Sequence, residues 1–286
     1  MKMKKYCQIT VLGVVAFATV PMENARAETL YFGIVPQQAA TRLANMWLPF
    51  MQELSAQTGL DIRFATMKDI PTFEQCLAQG AYDIAYMNPY HYTVFSKKSG
   101  YRAFAHQSEK KLKGLIVVKK GSEVTSLAGL DKKKVAFPSP AAFGASVLPR
   151  TEMKAEGLKI EPVYVKSHDS VYKSVIAGYF VAGGGVLRTF NSIPQGMRDQ
   201  LQVIYRTGAY TPHAFAVNGA MPEEHLATIQ NAMLDIARHK PGLMKSIGMT
   251  GLVTAQDSDW NDVRKLDLSQ YETKIVQLGT VKCRFD

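Results

Sequence analysis

The chain has 286 residues, a formal charge of +10, 47% hydrophobic and 20% charged side chains. That balance excludes a disordered, collagen-like or coiled-coil chain and leaves enough apolar surface for one large or two medium domains. Three cysteines are too few for a disulfide scaffold, and the positive charge turns attention to an anionic partner: nucleic acid, a membrane surface or a small anion.

Residues 1–27 read as a secretory leader. Lys2, Lys4 and Lys5 form a basic start, residues 9–20 a short apolar run, and Ala25-Arg26-Ala27 an A-x-A cleavage site, so the mature chain is expected to begin at Glu28 in the periplasm. An uncleaved anchor helix is the alternative, but the apolar run is short for one. Cys7 lies too early for a lipid-acceptor cysteine. Removing four basic residues and Glu23 lowers the charge from +10 to +7. The remaining lysines are scattered or in short clusters (Lys110-Lys111-Lys113, Lys132-Lys133-Lys134) without aromatic stacking motifs, so no nucleic-acid partner is expected. Cys76 and Cys283 either pair in an oxidising compartment or stay apart, Cys76 buried on a helix face and Cys283 free on a tail.

The mature chain alternates strands and helices. Residues 30–35 form a compact apolar strand. Leu43, Met46, Trp47, Phe50, Met51 and Leu54 recur at helical spacing, with Gly59 as stop and Pro49 as a kink or restart. Strands are predicted at 60–65 and 82–87, around a short helix at 73–79. Asn88-Pro89 opens the next helix with Asn at the cap and Pro at its first position. Residues 101–106 and 112–119 read as two paired strands. Strand 135–137 runs through Ser139-Pro140-Ala141-Ala142 into a helix from Phe143 to Glu156. Strand 162–166 leads to a helix capped by Ser167 or Asp169, and strand 179–182 leads into Gly183-Gly184-Gly185. Strands at 202–206 and 214–217 precede an acid-headed helix at 222–238; the last third reads as mostly helical. The alternation predicts parallel α/β sheets.

Motifs for enzyme chemistry are missing from the sequence. There is no P-loop, H-E-x-x-H pair or G-x-S-x-G elbow, and the glycine run has Arg188 where a dinucleotide fingerprint needs a small residue. No cofactor, metal site or catalytic residue is therefore assigned. His168-Asp169 between Ser167 and Ser170 suits helix capping better than a relay, because adjacent residues at a helix start point in different directions. Anion binding is better supported. The small residues Ser139, Ala141, Ala142 and Phe143 lead from a strand into a helix whose first N–H groups carry partial positive charge. Gln37, Tyr86, Asn88, His91, His168 and His213 follow other strands or adjoin them, where ligands of open α/β sheets sit. Arg188 is the candidate countercharge, since a guanidinium offers two parallel hydrogen bonds; a structural ion pair is its alternative role.

The stretches Gly80-Ala81-Tyr82-Asp83-Ile84-Ala85, Asn88-Pro89-Tyr90-His91-Tyr92, Ser167-His168-Asp169-Ser170-Val171-Tyr172 and Ala182-Gly183-Gly184-Gly185, with Thr58-Gly59, together resemble the phosphate/phosphite/phosphonate-type periplasmic substrate-binding proteins. The resemblance implies a type II α/β architecture: two lobes, each a mixed sheet flanked by helices, closing over a ligand in the cleft between them. On that pattern residues 28–116 and 217–286 form one lobe and 117–216 the other, with crossings near 115–119 and 213–218. It implies a monomeric protein that catalyses nothing and delivers a small anionic ligand, a phosphonate- or phosphate-like oxyanion or related small acid, to an ABC permease. Relatives serve sensor kinases as input domains, and a periplasmic enzyme using His168 or His213 is a third reading. One departure stands out. Phosphonate-binding members carry a Ser/Thr-rich run where this chain has Ser139-Pro140-Ala141-Ala142-Phe143-Gly144, so the backbone donors remain, apart from Pro140, while most hydroxyls do not. That leaves a less charged or more apolar ligand open, with sulfur or arsenic oxyanions and small organic acids as further options.

Overall fold

The structure, a computed structural model, describes residues 29–266, Leu268 and 281–285, with Met1 and Met3 besides. Apart from those two methionines, the stretch expected to be a leader lies outside the described residues. The chain begins with β1 (Thr29–Ile34), α1 (Ala40–Thr58), β2 (Asp61–Ala65), α2 (Ile70–Ala78), β3 (Ile84–Met87), α3 (Pro89–Lys98) and β4 (Arg102–Gln107). In α1 the residues Leu43, Trp47, Phe50, Met51 and Leu54 are buried, and Gly59 ends the helix at φ 70° with its N–H on the Ser55 carbonyl. Such a left-handed stop suits glycine, which has no Cβ to clash. The helix runs unbroken through Pro49, which faces solvent.

The second part comprises β5 (Gly114–Lys119), β6 (Lys134–Phe137), a π-helical turn (Phe143–Val147) continuing into α4 (Leu148–Ala155), β7 (Glu161–Tyr164), α5 (His168–Ile176), β8 (Ala182–Val186), α6 (Leu187–Ser192), α7 (Gln195–Arg198) and β9 (Leu201–Arg206). The chain then returns with β10 (Ala214–Val217), α8 (Glu223–His239), α9 (Pro241–Ser246), β11 (Leu252–Thr254) and α10 (Asn261–Arg264). Two sheets result, one of six strands in the order β11-β4-β10-β3-β1-β2 and one of five in the order β7-β6-β8-β5-β9. The β1–β2, β1–β3, β6–β7 and β6–β8 pairs are parallel, while β10, β11, β5 and β9 pair antiparallel. Each lobe is therefore a mixed sheet flanked by helices, with the parallel strands those that alternation predicts. The β11 edge strand falls within the stretch expected to be mostly helical.

Three local expectations are corrected. First, β4 and β5 do not pair: they belong to different sheets. Their nearness in sequence suggests a hairpin, but residues 108–113 carry the chain from one sheet to the other. Leu115 to Val118 form an unbroken buried apolar run, the pattern of a strand covered on both faces: β5 lies between β8 and β9, with Ile116 and Val118 packed among Leu127, Leu130 and Met153 and Leu115 and Val117 against Tyr172 and Val175. Second, the crossings lie elsewhere than at 115–119 and 213–218. The chain passes between sheets at 108–113 and at 207–213, where Leu112 and Tyr210 exchange backbone hydrogen bonds of 2.8 and 2.9 Å. Boundaries at 116/117 and 216/217 cut through β5 and β10. Third, the glycine run is not a loop after a strand but the body of β8. A Cβ on Gly183 would stand 2.3 Å from Val171 Cγ1, on Gly184 1.9 Å from the Ala145 carbonyl oxygen, and on Gly185 2.2 Å from Tyr172 Oη. Glycine is a poor strand former, but here its missing side chain lets α5 and the π-helical turn lie directly on the strand.

Cys76 and Cys283 form a disulfide, with Cα atoms 5.6 Å apart. It fixes residues 281–285 to α2, and Phe285 stacks on Tyr82, just before β3, with centroids 4.9 Å apart.

Candidate functional site

Both sheets turn the C-terminal ends of their parallel strands toward one cleft. From the six-stranded sheet come Val35 and Gln37 after β1, Asn88 after β3, and His213 just before β10. From the five-stranded sheet come Ala142 to Ala145 after β6, His168 after β7 and Val186 at the end of β8; with Ile70 these residues line a cavity of about 10 Å³. A larger hollow of about 190 Å³, lined by Leu30, Asp83, Asn218 and Met221 among others, lies at the opposite ends of β1 and β3 and holds none of the expected site residues. Position at the strand C-termini, rather than size, marks the smaller cavity as the site.

Five helix starts meet at this cavity. Ile70 begins α2, Asn88 caps α3, Phe143 begins the π-helical turn, His168 begins α5 and Val186 precedes α6. Each brings the positive end of a helix dipole. Local sequence sets these starts: Asn88 Oδ1 accepts from His91 N at 2.8 Å and Ser167 Oγ from Ser170 N at 3.1 Å. Asp69 Oδ1 likewise accepts from Thr72 N at 2.9 Å, which places the start of α2 three residues before the expected 73. The cap followed by Pro71 is the signal for that start.

The lobes touch across the cleft. His168 N–H donates to the Gln37 carbonyl at 3.0 Å, Gln38 Nε2 to Ser192 Oγ at 2.7 Å, and Asn88 Nδ2 to the Ala141 carbonyl at 3.1 Å. Arg188 donates to Gln37 Oε1 and lies over the Tyr86 ring, 5.5 Å from its centroid. Among the described residues no carboxylate stands within ion-pair distance of Arg188, so no structural ion pair there neutralises its charge.

Of the expected site residues, Gln37, Asn88, Ala142, Phe143, His168 and His213 line the cavity. Tyr86 stacks on His213 at 5.0 Å and sits beneath Arg188, so both lie one contact behind the lining. Ala141 faces Asn88 through its carbonyl. Ser139 is buried, and its Oγ has no hydrogen-bond partner. His91 lies behind Asn88, with Nε2 2.8 Å from Glu74 Oε1 and 3.0 Å from Asn88 Nδ2, and supports that side chain instead of lining the cavity. Gly144 and Ala145, from the same small-residue segment, also line it; Val35, Ile70 and Val186 complete the lining and escaped sequence reading, because apolar residues at strand ends look like ordinary core.

Burial dominates the electrostatics. It pushes the His168 pKa down to about 3, with the neighbouring Arg188 charge adding to the effect. His213 is likewise lowered well below its ordinary value by burial, then by Arg188, His91 and His168. Both imidazoles are thus neutral at neutral pH. Tyr86 is raised by burial, an effect opposed by Arg188. The site combines one guanidinium, neutral imidazoles, amides and five helix starts, an assembly that receives negative charge. Its free space is about that of one water molecule, so entry of any larger group requires the lobes to part.

Comparison with solved structures gives the same architecture. A binding-protein component of an ABC phosphonate transporter from Pseudomonas aeruginosa superposes with a TM-score of 0.80 at 14% identity, covering 89% of this chain and 91% of that one. PhnD1 from Prochlorococcus marinus, in complex with methylphosphonate, gives 0.77 at 16% identity, covering 86% and 98%. An ancestral arginine-binding protein bound to arginine gives 0.55 at 18% identity, covering 77% and 96%. At such identities these likenesses establish the fold, a type II periplasmic binding protein. No curated protein matches the chain. The family model described as "ABC transporter, phosphonate, periplasmic substrate-binding protein" matches residues 32–260, well over half of the sequence, and the chain belongs to that family of periplasmic transport components.

Proposed function

We propose that this protein captures a small oxyanion of the phosphonate class between its lobes and delivers it to an ABC permease, acting as a monomer and without catalysis. The carrying observation is the meeting of five helix starts at one cavity between the sheets, with the Arg188 guanidinium one contact behind it on Gln37. Two buried polar atoms without partners, Ser139 Oγ and His168 Nε2, add hydrogen-bonding capacity beside it. The lobes of this reading are residues 29–107 with 214–285, and 114–206, joined by the two crossings. Binding without turnover agrees with the histidines, because a general acid or base works best with a pKa near the operating pH and His168 stands near 3. Service to a sensor kinase would use the same cleft and is distinguished by whether the protein supports uptake.

Arg188 provides the test. Arg188→Ala is expected to weaken methylphosphonate binding at least tenfold, about 1.4 kcal/mol. Arg188→Lys should recover only part, because an ammonium keeps the charge but loses the planar fork. Melting of both variants without ligand should stay close to the parent. Lower stability with unchanged affinity would assign Arg188 to structure and remove this reading's charge partner.

The same reading has residues 1–27 removed on export. N-terminal sequencing of protein from a periplasmic extract should begin at Glu28; an intact Met1 in the membrane fraction would contradict it.

A further inference from the structure

We propose that the cleft takes its oxyanion in the singly protonated form, with Nε2 of His168 accepting the hydrogen bond from the anion's own P–OH. The inference rests on the functional reading above and deepens it. It comes from counting hydrogens around Thr189, a buried residue in the first turn of α6. Its Oγ1 lies 3.0 Å from the Val186 carbonyl, 2.9 Å from Tyr172 Oη and 3.0 Å from His168 Nδ1. A threonine hydroxyl has one proton to give and two lone pairs to fill. Giving that proton to the Val186 carbonyl leaves both lone pairs free, one for Tyr172 O–H and one for His168 Nδ1–H, and every short contact is then satisfied. The other tautomer needs the Thr189 proton at Nδ1. The Thr189 and Val186 oxygens then face each other at 3.0 Å with no proton between them, because the Tyr172 hydroxyl is needed at Thr189. The arrangement with short bonds throughout puts the imidazole proton on Nδ1 and leaves Nε2 a bare lone pair.

That nitrogen is buried and has no partner, on a residue that lines the cavity. Its counterpart in His213 is supplied, because Gln37 Nε2 stands 3.3 Å from His213 Nε2. An unsatisfied buried acceptor is costly, and protonating it would place an imidazolium in a buried site beside Arg188, consistent with the depressed pKa of His168. The remaining remedy is a donor on the ligand. A dianionic phosphonate offers three acceptor oxygens and no donor, so it would set oxygen lone pairs against a nitrogen lone pair. A monoanion, R–PO2(OH)−, gives its O–H to Nε2 and turns its other two oxygens toward Arg188 and the helix starts. The segment Ala141-Ala142-Phe143 contributes no charge or side-chain hydroxyl that would compensate a second negative charge.

The test uses the mature protein and methylphosphonate in calorimetry from pH 6 to pH 9, in buffers of differing ionisation enthalpy. Affinity should fall as pH rises past the second ionisation of the free probe, approaching tenfold per pH unit as the monoanion is depleted. In that range one proton should be taken up per ligand bound. The O-methyl ester of methylphosphonate, a monoanion with no P–OH, should bind at least tenfold more weakly than methylphosphonate at pH 6. The 15N signal of His168 Nε2 should keep a neutral-imidazole shift on binding. Affinity that rises with pH, absence of proton uptake, equal binding of the ester, or an imidazolium signature at His168 would each overturn the proposal. Failure of methylphosphonate, phosphite and phosphate to bind at any pH would overturn the functional reading, and the protonation proposal with it.

Discussion

Gly184→Ala is expected to destabilise the protein by at least about 3 kcal/mol, a large share of the roughly 5–15 kcal/mol that holds a typical domain folded. The added Cβ would stand 1.9 Å from the Ala145 carbonyl oxygen and 2.6 and 2.8 Å from two Phe137 ring atoms. Overpacking by one methyl group typically costs 1–3 kcal/mol when side chains can give way. Here the nearest atom is backbone, and it is pressed from a second side, since a Cβ on Gly114 of β5 would stand 2.0 Å from the Gly144 carbonyl oxygen. The π-helical turn therefore rests on two adjacent glycine-bearing strands and cannot retreat from one without losing the other. Denaturant unfolding of Gly184→Ala beside Gly196→Ala, whose Cβ meets nothing within 4 Å, checks this. The Gly196 variant should stay within about 0.5 kcal/mol of the parent, and a Gly184 variant equally close to it would overturn the account. Any Gly184 variant that still folds should also bind poorly, because the same turn carries Phe143 to Ala145 into the cavity.

Reduction of the Cys76–Cys283 disulfide is expected to lower stability by about 2–5 kcal/mol, the range usual for removing a native cross-link. The bridge spans 207 residues of sequence, so the unfolded chain gains much freedom when it opens. The folded state loses a fixed position for Phe285, which lies 5.1 Å from Tyr31 and 4.9 Å from Tyr82 between ring centroids, and for the Val281 carbonyl that accepts from Gln79 Nε2 at 3.0 Å. Unfolding with and without reductant, on the parent and on Cys283→Ser, gives the measure. The parent should respond to reductant and the variant should not; equal midpoints for all four would remove the bridge from the stability account. Because α2 holds Cys76 near one end and Ile70 at the other, ligand affinity measured in reductant shows whether this anchoring reaches the cleft.

Where a physical pattern is local, it was readable in the residues. The apolar spacing of Leu43, Trp47, Phe50 and Leu54 marks α1, Asn88-Pro89 marks the start of α3, and Ser167 caps α5 as its type and position suggest. The polar half of the cavity was legible for the same reason: Gln37, Asn88 and His168 follow strands, and strand ends are where such sheets bind. The misreadings involve partners far away in sequence. Nothing between His106 and Leu112 reveals that β4 pairs with β10 and β11, or that Leu112 meets Tyr210. Gly183 to Gly185 look like a loop until the helix and the turn pressing on them are known. Val35, Ile70 and Val186 carry no chemical mark, and only the approach of the second sheet separates them from ordinary core. His91 misled in the opposite sense, being a polar residue of the right type one layer too deep.

The Leu112–Tyr210 bridge bears on how the lobes can part. Two crossings that exchange backbone hydrogen bonds of 2.8 and 2.9 Å form a short ribbon rather than two independent tethers. A ribbon of this kind flexes out of its own plane at little cost but resists in-plane sliding, which would break both bonds at once. The soft relative motion is thereby expected to be bending about an axis across the ribbon rather than sliding along it. Tyr210 also meets Phe143 edge to face, with centroids 5.6 Å apart, so one aromatic contact separates that axis from the turn lining the cavity. Side-chain volume at position 210 is accordingly expected to bear on how closely the lobes approach, independently of any group that grips the anion.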